Sequence, residues 1–179
     1  MDGFAYIETE RLNIVPFQEV HLTERYLGWL NDPDVVKFSE QRHRRHTLES
    51  CRTYCLAMGS LGNLFMAICD KRTGVHIGNS TVSIDSNNQI ADIQILIGDR
   101  SFWGRGLGAE AFSALVEALL EIGCFRKITA GTLAENEAML KTIKKAGMVI
   151  ECIRKDHYLL NGKPVDVVYG AKWNDRTAL

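Results

Sequence analysis

An α+β domain, with one mixed sheet flanked by helices, is what this sequence predicts, on three observations. Short runs with strand alternation take turns with amphipathic helical runs along the chain. Turn signals at Lys71–Gly74, Asn87–Asn88 and Asn161–Pro164 join successive strands. No repeat, low-complexity tract or linker interrupts the order, so residues 1–179 are expected to form a single domain.

Arg11–Phe17 (RLNIVPF) alternates apolar and polar residues as a first strand. Leu22, Tyr26, Leu27, Trp29 and Leu30 fall near one side of a helix. Asn31–Pro33 ends it, because Pro33 disfavours helical geometry at Asp32. Thr47 is the expected N-cap of a helix from Leu48 to about Met58. The runs NLFMAICD and VHIGNSTVSID form two strands about the first turn, and Ile90–Gly98 forms a third. A long helix follows, with Leu107, Ala111, Leu115, Leu119 and Ile122 as its core stripe. A strand at Lys127–Thr132, a helix at Asn136–Ala146 ended by Gly147, and strands at Val149–Leu159 and Val165–Trp173 complete the chain.

Composition narrows the function classes. A 46% hydrophobic, 24% charged chain has the balance of a soluble enzyme or binding module. The net charge of −1 supplies no global field toward nucleic acid or an anionic membrane. No apolar run approaches the roughly 20 residues of a bilayer span. The opening MDGFAYIETERL lacks the layout of a signal peptide, so a cytoplasmic location is expected. The five cysteines are odd in number, scattered, and include no C-x-x-C pair, unlike a disulfide framework. Cys51 and Cys55 share a helix face, but no further His or Cys stands at ligand spacing. Reduced, buried thiols are expected there, and no metal.

One stretch calls for chemistry: DRSFWGRGLGAEAFSALVEALL, residues 99–120. Gly104, Gly106 and Gly108 follow an apolar strand and open a helix, where backbone N–H groups are unpaired and the helix dipole is positive. Glycine permits positive φ and admits a ligand without meeting a Cβ. Together these features make an anion site, most naturally for phosphate, with Arg105 as a flanking cation. The alternative is a strained turn whose glycines serve only close packing. The G-x-G-x-G spacing lacks the dinucleotide pattern, and the next strand, KITAGT, carries no acid for a ribose. Ala109 and Glu110 after the last glycine exclude a Walker loop.

With these residues in view, the chain resembles the GNAT superfamily of N-acetyltransferases. WGRGLGAEA after ADIQILIGDRSF is similar to that family's acyl-CoA loop, with Gly106 and Gly108 at its two small positions. Trp103 stands where Gln or Arg is usual, a departure shared with the branch resembling ribosomal-protein-alanine N-acetyltransferases. ENEAMLKTIKKAGM (Glu135–Met148) is similar to a second signature through Asn136, Lys145 and Gly147, with Met148 replacing Phe. IETERLNIVP (Ile7–Pro16) resembles the usual opening. The resemblance implies a mixed, mostly antiparallel central sheet flanked by helices, the GNAT-like acyl-CoA N-acyltransferase fold. It also implies acetyl-CoA as cosubstrate.

The site residues follow from the resemblance. The strand ending at Leu96, Ile97 and Gly98 would splay from Lys127–Thr132 and leave a gap for the pantetheine arm. A backbone N–H near Leu96–Gly98 would hold the developing oxyanion. Trp103, Gly104, Arg105, Gly106, Leu107, Gly108 and Ala109 would line the pyrophosphate. Asn136 would contact pantetheine or order a water; it is equally suited to capping its own helix. The attacking amine must be neutral, so a base is expected, and Asp92 is the first candidate, against the alternative of a surface Asp. Gln94 could orient the acceptor but is no base. Many relatives carry a proton-donating Tyr seven residues after the signature Asn, where this chain has Ile143. Tyr158 or His157 could substitute, or the thiolate could leave unaided.

Acceptor choice is expected to lie between the first two helices. SEQRHRRHT (Ser39–Thr47) holds Arg42, His43, Arg44, Arg45 and His46 in succession. An acidic acceptor would suit that charge; a solvated loop or a contact to the coenzyme's phosphates would explain it as well, and Glu40 would favour a cation. The expected reaction is direct acetyl transfer, in a ternary complex, to a primary amine of a small molecule such as an amino sugar or polyamine. A protein N-terminus, a non-catalytic acyl-CoA-binding module and a domain holding another nucleotide remain as alternatives.

Overall fold

Four hairpins and one crossover build an eight-stranded sheet in the computed structural model, which describes residues 6–174. The strands are β1 (Ile7–Glu8), β2 (Leu12–Pro16), β3 (Leu64–Asp70), β4 (His76–Asp85), β5 (Ile90–Ile97), β6 (Lys127–Leu133), β7 (Val149–Leu160) and β8 (Lys163–Trp173). The helices are α1 (Glu24–Leu30), α2 (Leu48–Ser60), α3 (Leu107–Glu121) and α4 (Glu137–Lys145). The sheet order is β1-β2-β3-β4-β5-β6-β8-β7, and every neighbouring pair is antiparallel except β5–β6. The mixed, mostly antiparallel sheet flanked by helices is therefore observed.

Local chemistry sets the boundaries. The strand expected at Arg11–Phe17 is β2, and a short strand that was not expected, β1, precedes it; the turn between them forms because the Thr9 hydroxyl accepts the Leu12 N–H (2.9 Å), which draws Arg11 out of the strand. Thr47 caps α2 by accepting from Ser50 N (3.1 Å), as expected. Thr23 does the same for α1 at Tyr26 N (3.2 Å), which moves the helix start past Leu22. The last hairpin turns on Asn161 and Gly162 alone, both at positive φ (52° and 76°), so Lys163 and Pro164 already belong to β8.

The stripe of α3 holds for Leu107, Ala111, Leu115 and Leu119, joined by buried Phe112 and Val116. Ile122 departs from it: it is the C-cap and 42% exposed, since the helix has left the sheet by then. No helix of the described residues is long and apolar enough to cross a membrane. Cys51 is buried and Cys55 half-buried, whereas Cys124 and Cys152 are exposed.

Strand alternation assigns the two faces. Ile93, Ile95 and Ile97 of β5 join Met66, Ile68 and Ile128 beneath α3 and α4. Leu96 and Phe65 point the other way, into a second cluster with Tyr26, Trp29 and Leu30 of α1 and Cys51 of α2. In a third cluster Phe38, from the α1–α2 connection, reaches Leu133, Val165, Val167 and Tyr169.

The feature that positions the site is an incomplete ladder. β5 pairs with β4 along its whole length, Ile90 to Ile97, but meets β6 only from Ile90↔Lys127 to Asp92↔Thr129. Beyond Asp92 the two parallel strands diverge and leave a gap in the sheet.

Candidate functional site

The gap exposes specific peptide groups. Gly98 N–H donates to the Ile77 carbonyl (2.9 Å) on β4, so the same peptide unit turns the Ile97 carbonyl away from β4. By alternation Ile95 and Ile97 direct both N–H and C=O toward the gap, while Leu96 directs both toward β4. Within the expected range Leu96–Gly98, the strand's alternation leaves one N–H for the gap. The Gly98 and Leu96 N–H groups are turned to β4, and Ile97, with Ile95 one step back, offers its N–H to the gap. Gly98 serves packing instead: a Cβ there would lie 2.1 Å from the Trp29 ring. The Ile97 carbonyl accepts from Trp103 Nε1 (2.7 Å), so Trp103 ties the glycine loop to the end of β5.

The loop is shaped by backbone handedness. Gly104 (φ +71°) and Gly106 (φ +76°) are both left-handed, and Gly106 is the N-cap of α3. A Cβ at either would meet nothing closer than 3.8 Å, so conformation rather than space calls for glycine. Gly108, in the first helical turn, lies against β5, its Cβ position 3.4 Å from Ile97 Cγ1. The first N–H groups of α3, among them those of Leu107, Gly108 and Ala109, have no partner within the helix. The Arg105 guanidinium lies over the Phe102 ring at 5.2 Å.

A clamp that sequence reasoning missed holds this loop in place. Arg11 Nη1 donates to the Arg105 carbonyl (2.9 Å), which turns the following Gly106 N–H the opposite way. Arg11 is itself held by Glu110 on α3, whose carboxylate also accepts from the Thr9 hydroxyl (2.6 Å) and the Arg11 N–H (2.9 Å). Ninety-nine residues separate Arg11 from Glu110, so no local pattern signals the pair. At the other end of the loop Asp99 pairs with Arg25 of α1 and accepts from the Ser101 N–H (2.9 Å).

On the α1–α2 side, next to the gap, lies a cavity of about 230 Å³. Gln94 and Leu96 of β5, Asn79 and Thr81 of β4, and Tyr54 of α2 form part of its wall. Arg44, Arg45 and His46 of the α1–α2 connection form its rim. Tyr54 and Thr81 hydroxyls lie 3.4 Å apart.

Asp92 sits where the strands part. It accepts from the Thr129 hydroxyl (2.7 Å), and burial pushes its carboxyl up from the ordinary value against hydrogen bonds from Thr129 and Gln94. Asp92 is not among the residues lining the cavity; Gln94, two residues on and on the same face, is. Asn136 caps α4: its Oδ1 accepts from Met139 N (3.2 Å) and its Nδ2 donates to Thr132 Oγ1 (3.1 Å). Tyr158 stands near the tip of the β7–β8 hairpin, 37% exposed, opposite Val165 and outside the cavity lining, with its ring against His157. Ile143 is fully buried against Gly170.

Tyr169 of β8 was not legible as a site residue. It pairs with Gly131 of β6, where a Cβ would lie 2.8 Å from its ring, so glycine makes room for the phenol beside the gap. Burial pushes the phenol up; Arg154, stacked at 4.7 Å, opposes that, and nearby Tyr158 and Asp92 add to it.

The comparisons agree with this geometry. The ribosomal L7/L12 α-N-protein acetyltransferase RimL, solved with coenzyme A, superposes with a TM-score of 0.83 at 19% identity, covering 96% of this chain and 99% of that one. Ribosomal-protein-S5-alanine acetyltransferase from Vibrio fischeri gives 0.81 at 18%, covering 96% and 97%. Spermidine N-acetyltransferase from Vibrio cholerae, solved with CoA and spermine, gives 0.83 at 15%, covering 94% and 98%. No curated protein matches the chain at a significant level. The model of the acetyltransferase (GNAT) domain matches residues 11–149, which contain the parted strands, the glycine loop and the capped α4. The chain belongs to the GNAT family of acetyltransferases.

Proposed function

We propose that this protein is an N-acetyltransferase that moves an acetyl group from acetyl-CoA to the primary amine of a small molecule, by direct attack in a ternary complex. The observation that carries this reading is the gap beyond Asp92 and Thr129, which opens between a glycine-shaped helix N-terminus on one side and, on the other, a partly open cavity where Asn79, Thr81 and Gln94 stand among apolar side chains. The residues present fit the coenzyme. The left-handed loop and the unpaired N–H groups of α3 suit a pyrophosphate. The Ile97 N–H, facing a gap with no ladder beside the glycine loop, suits an amide carbonyl of an extended arm, as an added strand would.

Acetyl-CoA, when bound, supplies the acetyl group as a thioester. The chain's own groups then have distinct tasks. The N–H of Ile95, next to Gln94, faces the charge that develops on the acetyl oxygen, a donor typically worth about 3 kcal/mol of barrier. Gln94 orients the amine in the cavity, and Asp92, two residues back on the same face but outside the lining, takes the amine's proton through an intervening water. As the new N–C bond forms and the C–S bond breaks, the departing thiolate receives a proton. Tyr169, a phenol held protonated beside the gap, is better situated to donate it than exposed Tyr158. Asn136 keeps the start of α4 in position through its two hydrogen bonds. Trp103 does the same for the loop through the Ile97 carbonyl.

A protein N-terminus is the second reading. It is favoured by an open trough of about 1130 Å³ that adjoins the cavity through Leu30 and Arg44–His46.

Calorimetric titration of acetyl-CoA tests the proposal. Wild type is expected to bind at micromolar concentration and Gly106→Glu to lose binding, because its carboxylate repels the phosphates. Gly106→Ala carries only the conformational strain of about 1–2 kcal/mol and separates the two effects. Absence of wild-type binding at millimolar acetyl-CoA would refute the function. Release of free thiol on adding an amine would exclude a module that binds without turnover.

A further inference from the structure

The cations around the α1–α2 connection are not treated alike. Arg42 and His43 both face Glu40, at 2.8 Å and 3.7 Å, and Arg42 also donates to the Ser39 and Leu159 carbonyls. Arg25, Arg52 and Arg100 on neighbouring elements are likewise matched to carboxylates, while Lys37 of the same connection has no ion-pair partner among the described residues but lies over the Phe38 ring at 5.0 Å, outside the cavity lining. Arg44 and Arg45 have no ion-pair partner among the described residues, and both line the 230 Å³ cavity. Beside them His46 Nε2 is buried without a hydrogen-bond partner, a cost the fold leaves unrelieved. No Asp or Glu among the described residues lines that cavity. Its polar lining therefore draws on two sources: amide and hydroxyl groups of β4 and β5 (Asn79, Thr81, Gln94), and unmatched cations of the α1–α2 connection.

We infer that the acceptor is a compact amine that also carries an anion, a carboxylate or a phosphate, a few bonds from the reacting nitrogen. The anion lies against Arg44, Arg45 and His46, and the nitrogen beside Gln94. This rests on the transferase reading above and selects the substrate class for it. Two arginine forks match the planar or tetrahedral oxygens of such a group, and the buried imidazole nitrogen gains its missing partner. A cavity of about 230 Å³ is smaller than the roughly 300–1,000 Å³ that enclose drug-sized ligands, so it admits something of amino-acid to amino-sugar-phosphate size. A polyamine would bring only positive charge to a lining that offers it no carboxylate. The coenzyme's pyrophosphate is not the source of the demand, because the glycine loop shares no residue with this cavity.

The test measures thiol release at saturating acetyl-CoA with matched amines: glutamate against glutamine amide, glucosamine 6-phosphate against glucosamine, and spermidine as polycation. The first pair probes carboxylate and the second phosphate. The expected result is that at least one anionic member exceeds its partner by about tenfold or more in kcat/KM, and exceeds spermidine. The paired variant Arg44→Gln/Arg45→Gln should erase that advantage through KM, with kcat within about twofold and acetyl-CoA affinity unchanged by calorimetry. Arg44→Glu/Arg45→Glu should reverse the preference toward spermidine. Both side chains are exposed, and a melting curve checks that the variants fold. Equal use of charged and neutral members, transfer to no anionic amine, or a preference for spermidine would overturn the inference. So would an advantage that survives the double variant, or acetyl-CoA affinity that falls with it. A wild type that binds no acetyl-CoA overturns the transferase reading itself, and does so before any amine is added.

Discussion

Replacing Glu110 by Gln removes one charge from the clamp behind the glycine loop and keeps the side chain's shape. In the wild type the carboxylate accepts from the Thr9 hydroxyl at 2.6 Å, the Arg11 N–H at 2.9 Å and Arg11 Nε at 2.6 Å, and pairs with Nη2 at 2.6 Å. Hydrogen bonds to a charged group contribute about 1.5–3 kcal/mol. Arg11 is 44% exposed, so solvent screening reduces its share, and an amide still accepts at one oxygen. About 1–2 kcal/mol of stability should be lost near neutral pH, or roughly 2–8 °C in melting temperature for a chain of this size. The loss should depend on pH. Burial pushes the Glu110 carboxyl up, but the bonds from Thr9 and Arg11 outweigh it and hold the carboxyl below its ordinary value. A carboxylate depressed in the folded state stabilises above its unfolded pKa, and that advantage disappears as pH falls through the folded value. Wild type and Glu110→Gln should therefore converge as pH falls below the ordinary carboxylate range. With the clamp weakened, Arg11 releases the Arg105 carbonyl, and acetyl-CoA should bind several-fold more weakly. Thermal melts from about pH 3 to pH 7, with calorimetry at pH 7, provide the readout. A constant difference across that range, or unchanged coenzyme affinity, would refute the assigned role.

Two further outcomes follow from buried titratable groups. Asp92→Asn should lower kcat by about 10²–10⁴ while leaving stability at neutral pH equal or higher. Burial raises the Asp92 carboxyl, so its ionised form costs the fold stability once pH exceeds the folded value. A variant that loses activity and stability together would contradict this, as would a wild-type kcat profile with no limb above the ordinary carboxylate range. His76, enclosed by Phe17, His21, Tyr26 and Trp29, is pushed down to about 4 chiefly by burial. A histidine depressed in the folded state stabilises above its unfolded pKa, so wild type should lose stability as pH falls from about 6.5 toward 4. His76→Gln, which keeps a polar group near the Gly78 carbonyl and Asn79, should flatten that slope in acid-unfolding curves. An unchanged slope would assign the acid sensitivity to other groups.

Local signals were legible wherever one residue's chemistry decided the outcome. Thr47 as a cap, Pro33 beyond the end of α1, the α3 stripe and the glycines before it depend on neighbours within a turn or two. Ile122 and the short strand β1 escaped because each depends on where another element stops or starts. The Gly98 N–H could not be judged from its chain neighbours, since its partner, Ile77, comes from another strand. Tyr169 carried no signal either: one aromatic residue in a strand reads as core until Gly131 is seen opposite it.

By itself, then, the sequence determined the order of elements, the α+β class, the anion-shaped loop and the basic run at Arg42–His46, because these follow from residue type and short-range spacing. Only the tertiary structure decided which of those cations are already matched, which peptide groups face the gap, and that Arg11 and Glu110 brace the loop. Pairing of charges and the direction of a strand's free edge are properties of two or more distant segments at once. Chain separation says nothing about either until the β5–α3–β6 crossover and the sheet around it bring those segments together.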